Sequence, residues 1–301
     1  MSESYKETDF TAFVKLLNAL AAELGGQVTN EAAQLEYESW LHRDLTGQRV
    51  VVRDPQDPPR LLAYADFWTI SARGEANFAL GVLREAWGRG LEETLLGWLV
   101  TQVKPLGMKK ANMFAPGNAK ALQAFLEEQG FVEAGAYRRL VLEPLPHLQE
   151  VAFPEGYTLH AYAELDDAIL FQEAARRSFA DLWGHTASEE GHEQEAAWRG
   201  VLEHYDPQHL YVLLHEGSAA GCLRFRRNGE EGYLDSPGLA PEHRRPDLYR
   251  ALALTGVQGL GSAGAKRVVM DGWGEPDEAV RSYEALGFEQ TVLELGYQLT
   301  L

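Results

Sequence analysis

Apolar and polar residues follow patterns along the first half of the chain that predict helices and strands in turn. From Asp9 to Leu24 apolar residues recur at helical spacing, and the run ends at Gly25 and Gly26. Shorter β-branched and aromatic runs between turn residues predict strands. The other predicted elements are a helix at Thr29–Leu45, strands at Arg49–Arg53, Leu61–Ser71 and Glu75–Leu83, a helix at Leu91–Lys104, a strand at Lys109–Ala115, a helix at Asn118–Gln129 and a strand at Phe131–Leu142.

The second half repeats this order of elements. Predicted helices lie at Ala163–Phe179, Ser188–Tyr205, Leu248–Leu260 and Asp277–Leu286. Predicted strands lie at Leu210–His215, Gly221–Arg227, Gly232–Leu239, Arg267–Asp271 and Thr291–Leu301. Helices that alternate with the strands of a mixed sheet predict the α/β (α+β) class, with a mixed central β-sheet flanked by helices in each half.

The two halves also match in sequence. When the chain is shifted by 157 residues, the segment from Gly81 to Phe131 aligns without a gap on the segment from Gly238 to Phe288. A period of that length is the size of a domain, so the pattern indicates a duplicated domain rather than a solenoid of short repeats. Prolines at the Glu143–Pro146 loop interrupt the strand pattern, and the boundary is expected there, with domains at 1–145 and 146–301.

Composition and charge narrow the possible partners. The chain has 301 residues and a formal net charge of −18, because 45 acidic residues outnumber 27 basic ones. This charge repels a phosphate backbone, so no nucleic-acid partner is expected; it favours a cationic partner such as an amine, or serves only solubility. The single cysteine, Cys222, cannot form an intrachain disulfide. Neither a membrane-spanning apolar run nor a signal segment is evident, so a cytoplasmic protein is expected, with its oligomeric state open.

One turn in the first half has the composition of an anion-binding site. Val82 and Leu83 end a predicted strand, a turn with two glycines follows, and Leu91 opens a predicted helix. Free amides at the start of a helix carry partial positive charge, and glycine lets the backbone approach a ligand with positive φ. These features predict a cradle for a pyrophosphate, although two glycines also occur in ordinary surface turns.

Together with a later helix, this turn resembles the GCN5-related N-acetyltransferase (GNAT) family. The turn follows the family pattern V-x-P-x-x-(R/Q)-G-x-G-(L/I)-(G/A), and the segment from Asn118 to Phe131 follows N-x-x-A-x-x-x-Y-x-x-x-G-F. The resemblance implies two tandem GNAT folds, of mycothiol synthase-like architecture, with acetyl-CoA as cosubstrate. It implies that pantetheine lies beside Val82 and Leu83 and near Asn118, which could equally be a plain helix N-cap. It implies that the pyrophosphate is bound by the amides of Trp87, Gly88, Arg89, Gly90 and Leu91.

The first copy departs from the family pattern at two informative positions. Glu92 stands where the family has glycine or alanine, and a carboxylate there repels a pyrophosphate. Leu126 stands where the family has tyrosine, so this copy lacks the usual general acid.

The second copy departs in a complementary way. Leu239 and Arg244 match the start of the motif, but the segment Arg245-Pro246-Asp247 replaces its glycines, and Pro246 has no amide hydrogen to donate. Tyr283 stands where the family has its tyrosine. The resemblance implies that this phenol protonates the leaving thiolate of CoA, while a buried aromatic core residue is the other interpretation.

These residues lead to a functional hypothesis. The chain is expected to be an N-acetyltransferase in which the amine of a small molecule attacks acetyl-CoA directly; the alternative is a non-catalytic CoA-binding or scaffold protein. Asp235 and Glu75, near the central strands, are candidate bases, although each also fits an exposed strand-edge position. No metal is expected, because His185 and His192 stand seven residues apart without a nearby cysteine.

Overall fold

Contacts divide the chain into two units that do not coincide with the two sequence copies. The structure, a computed structural model, describes residues 2–26, 28–40, 47–146, 151–185 and 200–301. The first unit holds residues 1–134 together with residues 295–301, and the second holds residues 135–294. The predicted division at residue 145 follows the sequence repeat and remains a prediction, whereas the units follow contacts.

Strands lie side by side in the first unit, with helices packed against them. Its elements are β1 (Ser2–Ser4), α1 (Phe10–Leu24), α2 (Glu31–Trp40), β2 (Arg49–Arg53), β3 (Leu61–Ile70), β4 (Glu75–Val82), α3 (Leu91–Val103), β5 (Lys110–Pro116) and α4 (Lys120–Glu128). The strands lie in the order β1-β2-β3-β4-β5; β1 to β4 pair antiparallel, and β4 pairs parallel with β5. Helix α3 buries Leu95 and Leu99 in the core of this unit, as its leucine spacing requires.

The second unit has the same alternation. Its elements are β6 (Val132–Leu142), β7 (Tyr157–Ala161), α5 (Tyr162–Leu165), α6 (Ala168–Phe179), β8 (Leu210–His215), β9 (Ser218–Asn228), β10 (Glu231–Asp235), β11 (Gly238–Leu239), α7 (Pro246–Ser262), β12 (Arg267–Trp273), α8 (Asp277–Glu284) and β13 (Glu289–Thr300). Its strands lie in the order β6-β12-β10-β9-β8-β7, with β10 parallel to β12 and β6 antiparallel to β12. The α/β class predicted from the sequence is confirmed.

The last strand of each sequence copy ends in the unit built mainly by the other copy. Most of β6 belongs to the second unit, where residues 137–142 pair with β12. The end of β13 belongs to the first unit, where the Leu301 amide donates to the Lys109 carbonyl at 2.9 Å and Tyr297 is buried in the core. Each copy therefore completes a unit with a strand that the other copy supplies.

In each unit, two parallel neighbouring strands separate toward their carboxyl ends. The pairing of β4 with β5 stops at Phe78 and Met113, although β4 continues to Val82. The pairing of β10 with β12 stops at Asp235 and Asp271. Beyond Asp235 the chain passes through Ser236 and Pro237 and pairs with β9 alone, as β11. In the first unit, the gap between β4 and β5 is where the resemblance places pantetheine.

Several predicted elements differ in detail. The predicted strand Gly232–Leu239 is interrupted after Asp235, because Pro237 has no amide hydrogen for a ladder. The predicted helix Ala163–Phe179 is divided at Asp166, whose φ is 46°, and Asp167 caps the second part. Residues 41–45 of the predicted helix Thr29–Leu45, and most of Ser188–Tyr205 with His192, lie outside the described residues. Within the described part of the chain, no helix combines the length and the apolar character needed to cross a membrane.

Candidate functional site

A cleft opens in the second unit where β10 and β12 separate. It has a volume of about 280 Å³. Charged, polar and aromatic side chains line this unit-2 cleft: Phe179, His185, Cys222, Leu223, Arg224, Asp235, Ser236, Asp271, Trp273 and Glu275. Three carboxylates against one arginine favour a cationic ligand.

Asp235, a predicted base, lies at this cleft and is held by two partners. The Tyr205 hydroxyl donates to its two carboxylate oxygens at 3.0 and 3.1 Å, and Arg224 Nε donates to Oδ2. Arg224 also lies over the Tyr205 ring, 5.2 Å from its centroid. Because Asp235 already neutralises a guanidinium, it is better placed to orient groups than to accept a proton.

Tyr283 is fully buried beside the strand gap. Its hydroxyl lies 3.3 Å from Ser236 Oγ, and its ring packs edge-on against Tyr249, with 6.1 Å between centroids. Burial raises the pKa of the Tyr283 phenol well above its ordinary value. The phenol therefore carries a proton over the physiological pH range, and the same burial makes it a weaker acid than an exposed tyrosine.

Glu275 also lies in the unit-2 cleft, and sequence reasoning missed it. Its Oε1 accepts the Trp273 amide at 2.8 Å, and a Cβ on Gly272 would lie only 2.3–2.4 Å from its carboxyl atoms. Glycine at 272 thus leaves the room in which this carboxyl folds back over β12. Burial raises the pKa of Glu275, so its carboxyl is a stronger proton acceptor than an exposed one. The sequence signal that could have revealed Glu275 is a carboxylate that follows Gly272 and Gly274 directly after a strand.

The cleft contains no reactive thiol. Burial raises the pKa of the Cys222 thiol to about 11, which leaves little thiolate at neutral pH. Burial also lowers the pKa of His185, which stacks on Phe179 and bonds to the Trp273 carbonyl through Nε2 at 3.0 Å. The neutral imidazole is therefore part of the wall of the cleft.

At the start of α7, the second unit presents arginines in place of glycine amides. Arg244 donates to both oxygens of Asp181 at 2.6 and 2.7 Å and to the Leu239 carbonyl at 3.2 Å, so it fastens the turn to the end of α6. A groove of about 350 Å³ lies between the first turn of α7 and helix α8. Its lining residues, which define the arginine groove, are Pro246, Asp247, Arg250, Glu278, Arg281, Ser282 and Ala285.

In the first unit, the structure brings the predicted cofactor residues together at one turn. Val82 and Leu83 are buried at the end of β4, and Trp87 packs edge-on against Phe125 at 6.1 Å. Gly88 and Gly90 have φ of 74° and 78°, a conformation that requires glycine here. These residues precede Leu91, the first residue of α3, with the exposed Arg89 between the two glycines.

Two other predicted site residues of the first unit lie away from that turn or are already engaged. Glu75 begins β4 and bonds to the Asn112 amide at 3.3 Å, about 23 Å along the strand from Val82. The Asn118 side chain donates to the Leu24 carbonyl at 2.5 Å, and Ala119 rather than Asn118 is the N-cap of α4.

Comparisons with known proteins agree with this architecture. Residues 169–288 match the model of the acetyltransferase (GNAT) family. The chain is 28% identical over 253 residues to the mycothiol acetyltransferase of Rhodococcus jostii, covering 80% of each chain. It is 27% identical to that of Thermobispora bispora, covering 70% of this chain and 72% of the relative.

Solved structures share the fold over the full length of the chain. A GCN5-related N-acetyltransferase from Sphaerobacter thermophilus superposes with a TM-score of 0.69 at 17% identity, covering 100% of this chain and 95% of that one. A tandem GNAT protein from the clavulanic acid biosynthesis pathway gives 0.57 at 16% identity, covering 100% and 98%. The family match over residues 169–288, the relatives and the repeated fold confirm the resemblance seen in the sequence: the chain is similar to acetyltransferases of the tandem GNAT type.

Proposed function

We propose that this enzyme transfers the acetyl group of acetyl-CoA to the amine of a small molecule, at a site in its second unit. The observation that carries the proposal is the position of Tyr283, a buried phenol that stays protonated, next to Ser236 in the gap between β10 and β12. The family match, which covers residues 169–288, supports the same unit.

The reaction balances with groups of this unit and solvent. The amine nitrogen attacks the thioester carbonyl carbon, the carbon–sulfur bond breaks, and the Tyr283 hydroxyl supplies the proton that the departing thiolate takes up. The acceptor arrives as an ammonium and loses two protons in all. The Glu275 carboxylate in the unit-2 cleft accepts the first, which leaves a neutral nitrogen to attack, and solvent takes the second as the amide forms. Solvent then returns a proton to the Tyr283 phenolate and accepts the one held by Glu275. Asp235, paired with Arg224, orients the acceptor and attracts its positive charge. Cys222 takes no part, which fits direct attack without an acyl-enzyme.

The diphosphate of acetyl-CoA is assigned to the arginine groove. Pro246 removes one amide from the start of α7, so side-chain cations take over the recognition of phosphate. Arg250 and Arg281 line the groove from two neighbouring helices, together with the carboxylates of Asp247 and Glu278. Arg245 donates to both oxygens of Asp247 at 2.6 and 2.8 Å and so offsets its charge, and the first turn of α7 adds its partial positive charge.

A charge reversal tests where acetyl-CoA binds. Arg250→Glu is expected to weaken the binding of acetyl-CoA at least about tenfold, because it places a negative charge beside the diphosphate. Calorimetric titration measures the change. Arg89→Glu makes the same change at an exposed position of the first-unit turn and is expected to bind as the wild type does. If Arg89→Glu loses binding while Arg250→Glu retains it, the site belongs to the first unit and the proposal is wrong.

The names of the relatives indicate which acceptor to test first. The relatives bear the name mycothiol acetyltransferase, so the unacetylated amine form of a mycothiol-type thiol is the first acceptor to test. Release of free CoA thiol, measured with a chromogenic disulfide and a thiol-blocked acceptor, reports turnover. Acetylation that depends on the amine supports the proposal; hydrolysis at the same rate without any amine contradicts it.

A further inference from the structure

The glycine turn of the first unit already holds an anion, and that anion belongs to the chain itself. The side chain of Glu92 is 2% exposed, and its Oε1 accepts the Gly88 amide at 2.5 Å. Within the described part of the chain, the second oxygen, Oε2, is buried and has no hydrogen-bond partner. The Glu92 carboxylate therefore occupies the position in which the Gly88 amide would bind a ligand, and its Oε2 atom makes no hydrogen bond to the described residues.

Helix α1 covers the gap between β4 and β5 beside this turn. Glu23, near its end, accepts the Arg84 amide with both oxygens, at 3.0 and 3.2 Å. The Leu24 carbonyl accepts the Asn118 side chain at 2.5 Å. The end of α1 thus links the residues after β4 to the residues before α4, and so spans the gap in which a pantetheine chain would pass.

The packing of α1 on β4 holds this closure in place. A Cβ on Gly81 would lie 2.5 Å from Leu20 Cδ1, so the helix approaches the strand as closely as glycine allows. A Cβ on Gly88 would meet nothing within 4 Å. The outer side of the turn is therefore open, and the carboxylate on its inner side decides what can bind.

We infer that the first unit is a diphosphate cradle that is occupied by its own Glu92, so that this unit binds no CoA. A phosphate that approached the Gly88 amide would meet the Glu92 carboxylate, and the two negative charges would repel each other. The inference predicts a latent anion site: removal of the Glu92 carboxylate frees the Gly88 amide for an inorganic diphosphate. It does not depend on the function proposed for the second unit.

The test uses inorganic pyrophosphate as the probe and Arg250→Glu as the background, so that the second unit does not contribute. In that background, calorimetric titration of Glu92→Ala is expected to show one equivalent of pyrophosphate bound at least about tenfold more tightly than without the substitution. Glu93→Ala removes an exposed carboxylate from the same helical turn and is the matched control; it is expected to leave binding unchanged. Glu92→Ser, which also removes the carboxylate, replaces Glu92→Ala if alanine unfolds the protein.

The outcomes separate this inference from the proposed function. Tighter binding in the Glu92 variants, with none in the control, supports the inference whatever the second unit does. Equal binding in the folded Glu92 variants and their background overturns it. So does pyrophosphate binding by the wild type that Arg89→Glu abolishes, because the cradle would then be open in the native chain.

Discussion

Replacing Tyr283 by phenylalanine removes one oxygen atom from the strand gap of the second unit and leaves the ring packing intact. That oxygen has one hydrogen bond in the structure, to Ser236 Oγ at a long 3.3 Å. Its loss is expected to cost about 0.5–1.5 kcal/mol of folding free energy. Loss of a general acid lowers kcat about 10²- to 10⁴-fold, which corresponds to about 2.7–5.4 kcal/mol in the barrier. The catalytic effect therefore exceeds the structural one.

The control is Tyr249→Phe, because Tyr249 is equally buried and its ring packs against Tyr283. Steady-state release of CoA thiol, with thermal unfolding of each variant, measures both effects. Tyr283→Phe is expected to lose kcat with an unchanged KM for acetyl-CoA, while Tyr249→Phe stays within a few-fold of the wild type. Turnover by Tyr283→Phe at the wild-type rate, or an equal loss in both variants, would refute the reasoning.

Three further predictions concern stability. Burial raises the pKa of Glu275 in the folded state. Between the unfolded and folded pKa values the folded state therefore binds more protons, and the free energy of unfolding falls as pH rises. Relative to the wild type, Glu275→Gln should gain stability at pH 7 but not at pH 4, as measured by urea unfolding. Asp66→Ala leaves the guanidinium of Arg49, 1% exposed, with Glu38 as its remaining acidic partner, and should lower the urea midpoint by the equivalent of about 3 kcal/mol. Loss of the exposed Glu85, a partner of Arg60, should change the midpoint little. Deletion of residues 295–301 removes the buried Tyr297 from the first core and should make residues 1–134 sensitive to limited proteolysis; equal resistance to protease with and without the segment would show that the first unit does not need it.

Local features were predictable because they depend on neighbours in the chain. Helix α1 and the strands β2, β3 and β4 form where hydrophobic spacing and turn residues place them, within a residue or two at each end. The repeat and the glycine turn likewise need only sequence, since they are patterns of residue type. The same comparison placed Tyr283 at its position in the second copy, and the structure shows it beside a strand gap.

What tertiary structure decided is which groups meet across the chain. Ser236, Glu275 and Tyr283 come from three separate segments, and the gap that joins them exists because Pro237 cannot continue the ladder between β10 and β12. The sequence showed that Glu92 was out of place in a phosphate-binding turn. Only the structure shows that its carboxylate turns inward to the Gly88 amide, and that α1 covers the gap between β4 and β5 beside it.

The sequence by itself determined the class, the repeat and the resemblance to the GNAT family, because hydrophobic periodicity and motif spacing are properties of the linear chain. It did not determine that each copy completes its unit with a strand from the other, since pairing partners are chosen by burial of both faces in three dimensions. Nor did it determine whether the glycine turn of the first unit is open to a ligand. That depends on where side chains a few residues away can fold back, which is set by packing and by the hydrogen bonds that each buried polar group must find.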